Sequence, residues 1–424
     1  MFTAVRSIWV LFVGLALIML GNGLQGTLLG VRASLEGFTT ATTGLVMTGY
    51  YIGFLVGSIF IPRLVNSVGH IRVFAALASL ASSSVLLHTI FVDPGLWIGM
   101  RLVTGFSYAG LFVVVESWLN ERSTNETRGK MLSLYMIVSL SFMMLGQLLL
   151  TLAPAEQPEL FILTSVLVSL ALVPISLTVI AAPAIVQTPP IRIRDLYHGS
   201  PLGVIGAFGT GIANGTLLGM GAVFASSIGL PIQQVAYFMM AAIFGGLLLQ
   251  WPIGYCSDVF DRRTVITAVT FLAMLCAAAA TLVVESPSIA LFILVGLFGG
   301  AHLPMYALCI AHTNDRLPIE QMVAASGRLL LIFGCGSSLG PITAALLMTQ
   351  FGAVGFFWWL TIIHGGLGLF ALYRMTRSAA TPMEQQGAYV PVVPRASTVS
   401  AEWVAEESAA TSNESAHPSH ESRG

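Results

Sequence analysis

The sequence predicts an all-α integral membrane protein: twelve transmembrane helices in two pseudo-symmetric six-helix halves. Three observations predict it. Of 424 residues, 56% are hydrophobic and only 9% charged, with a mean hydropathy of +0.86, too few charges for a surface wetted on all sides. Charge-free stretches recur through residues 7–373, and at about 20 residues per crossing the longest must each hold two. Finally, Gln25-Gly26-Thr27-Leu28-Leu29-Gly30 returns as Asn214-Gly215-Thr216-Leu217-Leu218-Gly219, the echo of a duplicated bundle.

Bounded by the charges that end those stretches, the crossings are expected at 8–30, 41–61, 73–92, 96–118, 131–152, 160–181, 201–221, 233–253, 264–284, 287–310, 322–346 and 352–373. The first is too long for a secretion signal, has only Arg6 as a basic flank and lacks a cleavage sequence, so it reads as a permanent crossing. The chain then divides into an N-terminal bundle (1–181), a linker (182–200), a C-terminal bundle (201–377) and a tail (378–424) whose Ser, Thr, Ala, Glu and Pro predict disorder. In the linker, Pro183, Pro189 and Pro190 precede Arg192 and Arg194, and the basic residues alternatively form a short interfacial helix.

Arg63, Arg72, Arg122, Arg128, Lys130, Arg262, Arg263, Arg316, Arg374 and Arg377 fall on one side of this plan, whereas Arg32 is the lone basic residue of the other. Basic bias in short loops predicts that both termini are cytoplasmic. A net charge of −1 gives no reason to expect nucleic-acid binding. Cys256, Cys276, Cys309 and Cys335 lack ligand-like spacing, so neither a disulfide nor a metal site is expected. No nucleotide motif or clustered nucleophile is present, so no cofactor and no enzymatic activity are expected.

Further echoes support the duplication. Asn120-Glu121-Arg122 and Asn314-Asp315-Arg316 stand 194 residues apart, and the same offset lays Gly105 on Gly299 and Tyr108 on His302. Paired halves of this kind move solutes by rocking around a central cavity.

Polar residues inside the hydrocarbon are the candidate site. Arg101 either recognises an anion or tunes coupling, or else it snorkels outward. Glu116 follows about 22 Å along the same helix and reads as a gate ion pair or a proton-carrying carboxylate. Arg328 can meet Glu116, an anionic substrate or carbonyls. Gln25 and Asn214, at equivalent places, line a cavity for a polar solute or tie helices together. His302, two residues before Pro304, is either a proton-sensitive bent wall or a packing histidine. His364, Gln147, Gln250, Asn22 and Tyr108 rank lower; Tyr50, Tyr51 and Trp251 either contact solute or anchor and pack helices.

Glu116-Ser117-Trp118-Leu119-Asn120 with Arg128-Gly129 resembles the YcaD-like bacterial branch of the major facilitator superfamily, whose twelve-helix plan fits residues 1–377. Gly254-Tyr255-Cys256-Ser257-Asp258-Val259-Phe260-Asp261-Arg262-Arg263 resembles that family's cytoplasmic signature. The resemblance implies that Asp258, Arg262 and Arg263 brace an inner gate. In the first half Asn66 replaces the carboxylate, leaving Arg72 as part of the latch. Arg101 and its glycines resemble a motif associated with proton coupling, whereas the Gly-Pro signature of many antiporters is missing from helix 5. The resemblance implies the bacterial cytoplasmic (inner) membrane, and the expected function is secondary active transport of a small polar or anionic organic solute by a monomer, with protons as coupling ion. Efflux of amphipathic drugs, or a non-transporting receptor or scaffold, are the alternatives.

Overall fold

Hydrocarbon offers no water to an unpaired peptide group, so each apolar span must close its hydrogen bonds internally as helix. The computed structural model describes residues 2–124, 127–176, 191–285, 288–377, 379 and 381–392. The first half contains α1 (Phe2–Leu35), α2 (Thr40–Val68), α3 (His70–Ile90), α4 (Pro94–Glu121), α5 (Arg128–Leu148) and α6 (Glu159–Ser176). A short α7 (Ile193–Gly199) follows, so the basic linker does form a one-to-two-turn helix, with Leu196 buried; residues 177–190 of the linker region lie outside the described residues. The second half contains α8 (Pro201–Ser227), α9 (Ile232–Val259), α10 (Arg262–Thr281), α11 (Ile289–His302), α12 (Met305–Asn314), α13 (Ile319–Phe351) and α14 (Gly355–Arg377). Because α11 and α12 are two parts of one crossing, the described residues provide twelve membrane spans.

Several helices run past the expected boundaries, among them two that contain a proline. α2 and α9 were expected to end at 61 and 253, yet they continue through Pro62 and Pro252 to Val68 and Val259. A proline forfeits one helical hydrogen bond, and in a membrane bundle neighbouring groups absorb the loss. Gly69, with φ of 97°, terminates α2 instead, its N–H returning to the Val65 carbonyl. In the tenth crossing the helix is interrupted between α11, ending at His302, and α12, starting at Met305, although Leu303 and Pro304 keep helical dihedrals.

The duplication is visible in the packing. In the first half α1 packs on α5 and α6, α2 on α4, and α3 on α4 and α6. The second half repeats these pairs as α8 on α13 and α14, α9 on α11, and α10 on α11 and α14. Glycine allows the closest of these approaches. A Cβ on Gly105 would stand 1.9 Å from the Tyr50 carbonyl oxygen, and one on its repeat partner Gly299 would stand 2.0 Å from that of Ala242. Small residues thus bring backbones together where lipid provides no hydrophobic drive between helices.

The halves meet through α2 on α13, α5 on α9 and α1 on α8. At the face carrying Arg32, Glu36 and Asp93 this seam is shut: Gly44 lies against Ala345 and the Pro341 carbonyl, and Gly30 against Val223 and Ala222. That face also neutralises its lone cation, since Arg32 pairs with Glu36 at 2.5 Å and donates to the Ala155 carbonyl.

The tail requires a correction. It was expected to be disordered from residue 378, but residues 381–392 pack against the bundle, with Val390 and Val392 buried and Tyr389 hydrogen-bonded. Tyr389, Val390 and Val392 are apolar enough to dock despite the polar composition around them. Residues 393–424 lie outside the described residues.

If the glycine seams set the helix spacing, Gly105→Val and Gly299→Val each destabilise the bundle by about 1–3 kcal/mol through overpacking. Gly26→Ala, whose Cβ would meet nothing within 4 Å, should leave stability unchanged. Thermal unfolding in detergent, followed by size-exclusion chromatography, separates the two outcomes.

Candidate functional site

Between the halves lies a small void of about 30 Å³. Tyr50, Tyr51, Phe54, Leu55 and Ser58 of α2 form one wall, Asn214 of α8 a second, and Leu330, Leu331, Phe333, Gly334 and Ser337 of α13 a third. Among these described lining residues none is charged. Three buried polar atoms at the wall lack a hydrogen-bond partner: Nδ2 and Oδ1 of Asn214, and Oγ of Ser337. Buried amides and hydroxyls are ordinarily satisfied, so an open donor–acceptor set beside a void marks the candidate site.

Asn214, Tyr50 and Tyr51 therefore reach the void, one of the two placements the sequence left open for each. Gln25, although equally buried and with Nε2 unpartnered, does not line it. The α1 amide connected to its wall is Asn22, whose Nδ2 donates to the Tyr50 hydroxyl at 2.9 Å. Arg101 sits behind that wall, 5% exposed, its guanidinium carbon 4.4 Å from the Tyr50 ring centroid. This cation–π contact disperses the charge against an aromatic face instead of presenting it to the void. Tyr108 is likewise one layer back, its ring 6.2 Å from Tyr50 and 6.0 Å from Phe112.

His302 is not at the void. It stacks on Phe298 with centroids 5.5 Å apart and meets His364 edge-on at 5.3 Å, inside the second half. One turn further on, Tyr306 reaches the wall, its ring 4.4 Å from that of Phe333. Sequence reasoning missed Tyr306, although its i+4 spacing from His302 was the available signal.

Arg328 is also placed elsewhere. Its Nε donates to the Ile191 carbonyl at 3.0 Å, tying α13 to the linker. Trp251 is 77% exposed and stacks on Tyr255, outside the central void. Glu116 is fully buried and accepts a hydrogen bond from the Tyr135 hydroxyl of α5. Gln147 couples α5 to α1, accepting from the Thr27 hydroxyl and donating to the Gly23 carbonyl.

A second constellation lies at the basic face. Arg262, 1% exposed, donates from Nη1 to Asp315 at 2.5 Å and from Nε to the Ser257 hydroxyl at 2.8 Å; Asp258 lies 3.6 Å from Nη2. Arg262 thereby joins the end of α9, the start of α10 and the end of α12. Arg263 instead caps its own turn through Asp261 at 2.9 Å, and Arg72 is exposed. Burial pushes the Asp315 carboxyl above the usual carboxylate range, against the opposing pull of Arg262. Burial acts upward on Asp261 too, but hydrogen bonds and charge from Arg263 outweigh it and hold the carboxyl low. Asp315 was visible in the sequence only as part of the repeated Asn-acid-Arg triplet.

This arrangement can be compared with known proteins. The profile described as Major Facilitator Superfamily matches residues 11–244 and again 203–405. The chain belongs to the Major Facilitator Superfamily. Its relatives include uncharacterized MFS-type transporters named YcaD, from Salmonella paratyphi A and Escherichia fergusonii. The first is 28% identical over 353 residues, covering 83% of this chain and 91% of the relative. The second is 28% identical over 348 residues, with coverages of 82% and 90%. Among solved structures, the nucleoside transporter NupG matches with a TM-score of 0.69 at 14% identity, covering 89% of this chain and 99% of that one. A bacterial homologue of the human lysosomal transporter Spinster, in an inward-facing and unoccupied conformation, matches at 0.66 and 15%, with coverages of 96% and 94%. These structures share the fold with this chain. As an MFS transporter it is a multi-pass membrane protein and not an enzyme.

Of the three residues expected to form an ionic brace, Asp258 and Arg262 meet here together with Asp315, whereas Arg263 stays on Asp261. Because the Arg262 and Asp315 side chains are only 1% and 3% exposed, Asp315→Asn should cost about 3–5 kcal/mol by stranding a buried cation. Arg32→Gln, at the more exposed pair with Glu36, should cost only about 0–1 kcal/mol. Chemical unfolding of the two variants in detergent should resolve this difference.

Proposed function

We propose that this transporter moves a small, neutral, polar organic solute with a planar ring by alternating access, and that protons drive it. The observation that carries the reading is the open set of Asn214 amide and Ser337 hydroxyl atoms facing a void walled by Tyr50, Tyr51 and Phe333. Neutral donors and acceptors select a polar solute without the desolvation cost of a charge, and aromatic faces favour a planar one. Both intramembrane arginines have protein partners, Arg101 on Tyr50 and Arg328 on Ile191, which supports a neutral solute over an anion.

The two bundles, 1–181 and 201–377, are the moving bodies, joined by the 182–200 linker. The basic bias of one face argues that it is cytoplasmic, with both termini there. The closed glycine seam then lies on the outside. Proton coupling is assigned to Glu116, a fully buried carboxylate between α4 and α5 whose hydroxyl partner Tyr135 stabilises either protonation state. Only a difference in solute affinity between the two facing states couples the proton to movement.

Purified protein in liposomes, supplied with a panel of neutral, anionic and amphipathic solutes with and without a proton gradient, tests the proposal. A neutral heterocyclic solute should show gradient-driven uptake; transport of anions alone would refute the substrate class. Asn214→Ala and Ser337→Ala should each raise KM about tenfold, the loss of one or two hydrogen bonds. Glu116→Gln should retain solute binding but lose gradient dependence, and unaltered coupling in that variant rejects the proton assignment.

A further inference from the structure

Beyond the last crossing, the chain turns back onto the basic face and threads between the halves. The Gly387 N–H donates to Asp315 Oδ1 at 3.0 Å, and the Gly387 carbonyl accepts from Arg262 Nη2 at 2.6 Å. Two residues on, the Tyr389 N–H donates to Asp258 Oδ1 at 2.7 Å, while its hydroxyl accepts from Gln250 Nε2 at 2.5 Å. A three-residue stretch of tail backbone thus engages Asp315, Arg262 and Asp258.

The tyrosine ring has a prepared seat. A Cβ on Gly254 would stand 2.6 Å from Tyr389 Cδ1, so a larger residue there would exclude the ring. Together with Pro391, Tyr389 lines a cleft of about 640 Å³ bounded by Met136 of α5 on one side and Gly254 of α9 on the other. α5 belongs to the first half and α9 to the second, so the tail borders the seam between the halves. Val390 and Val392 are 5% and 2% exposed, which makes the docking apolar as well as ionic.

We propose that residues 386–392 are an autoinhibitory plug, which docks in the basic-face cleft between the halves and must leave before the transporter completes a cycle. Docked, the segment stands at the mouth of the α5–α9 seam and engages Asp258, Arg262 and Asp315 of the second half. Released, it frees the cleft and returns those charges to the bundle. The consequence for flux rests on the alternating-access reading; the docking itself does not, and its test needs no substrate.

Hydrogen exchange of the full chain in nanodiscs reads the docking directly. The Gly387 and Tyr389 amides should exchange about tenfold or more slower than an unstructured segment, and Gly254→Val, which fills the ring's seat without altering the tail, should abolish that protection. In a second measurement, Met136→Cys in a background lacking the four native cysteines is labelled with a soluble maleimide. Labelling should accelerate about fivefold on adding Tyr389→Ala, with monodisperse elution confirming an intact fold. Unprotected amides in the wild-type tail, or labelling unchanged by Tyr389→Ala, would overturn the plug. If docking is observed and flux is found, Tyr389→Ala should raise the transport rate. Docking without any flux would leave the plug standing and sink the transport reading alone.

Discussion

A polar atom buried in hydrocarbon must find its partner within the protein, and this constraint orders nearly everything in the molecule. It pulls the amides, hydroxyls and charges inward to the helix seams. Thr27, Gln147 and the Gly23 carbonyl satisfy one another between α1 and α5; Glu116 and Tyr135 do so between α4 and α5; Arg101 settles on the face of Tyr50. Glycine is the complementary device. By letting backbones touch at Gly105 and Gly299, it keeps the seams narrow enough for such short polar links to close.

Against that background of satisfied groups, the unsatisfied ones gain meaning. The Asn214 amide and Ser337 hydroxyl face a void on the boundary between the halves. Other buried amides with unpartnered atoms, Gln25 and Asn314, do not line it. The His302–His364 pair also lacks hydrogen-bond partners, but it is enclosed by Phe298 within one half, away from the seam where the two bodies meet. Location relative to that seam, more than polarity itself, distinguishes a solute contact from an internal one.

The architecture was legible because its signals are spread over whole helices: charge-free length, basic bias and three echoes at nearly one offset. Side-chain destinations were less so, since they depend on helix rotation and on remote backbone. Asn214 and Gln25 occupy equivalent sequence positions, yet only Asn214 lines the void, and Asn22 serves α1 instead. Nothing in the neighbourhood of Arg328 announces the Ile191 carbonyl, which lies 137 residues earlier in the chain. Composition misled most in the tail, where a window rich in Ser and Glu conceals Tyr389-Val390-Pro391-Val392, a short apolar run with its own receptor on α9.

The interruption at Leu303 and Pro304 sets the two halves apart mechanically. α4 crosses unbroken from Pro94 to Glu121, whereas its counterpart is jointed midway. The α11 lever is held against α14 by the histidine pair, while the α12 lever ends beside Asp315 and hence at Arg262. The charged end of the crossing is thus separated from the His302–His364 contact by a proline that removes one helical hydrogen bond. Of two copies of one blueprint, only the second carries that weak point in this crossing.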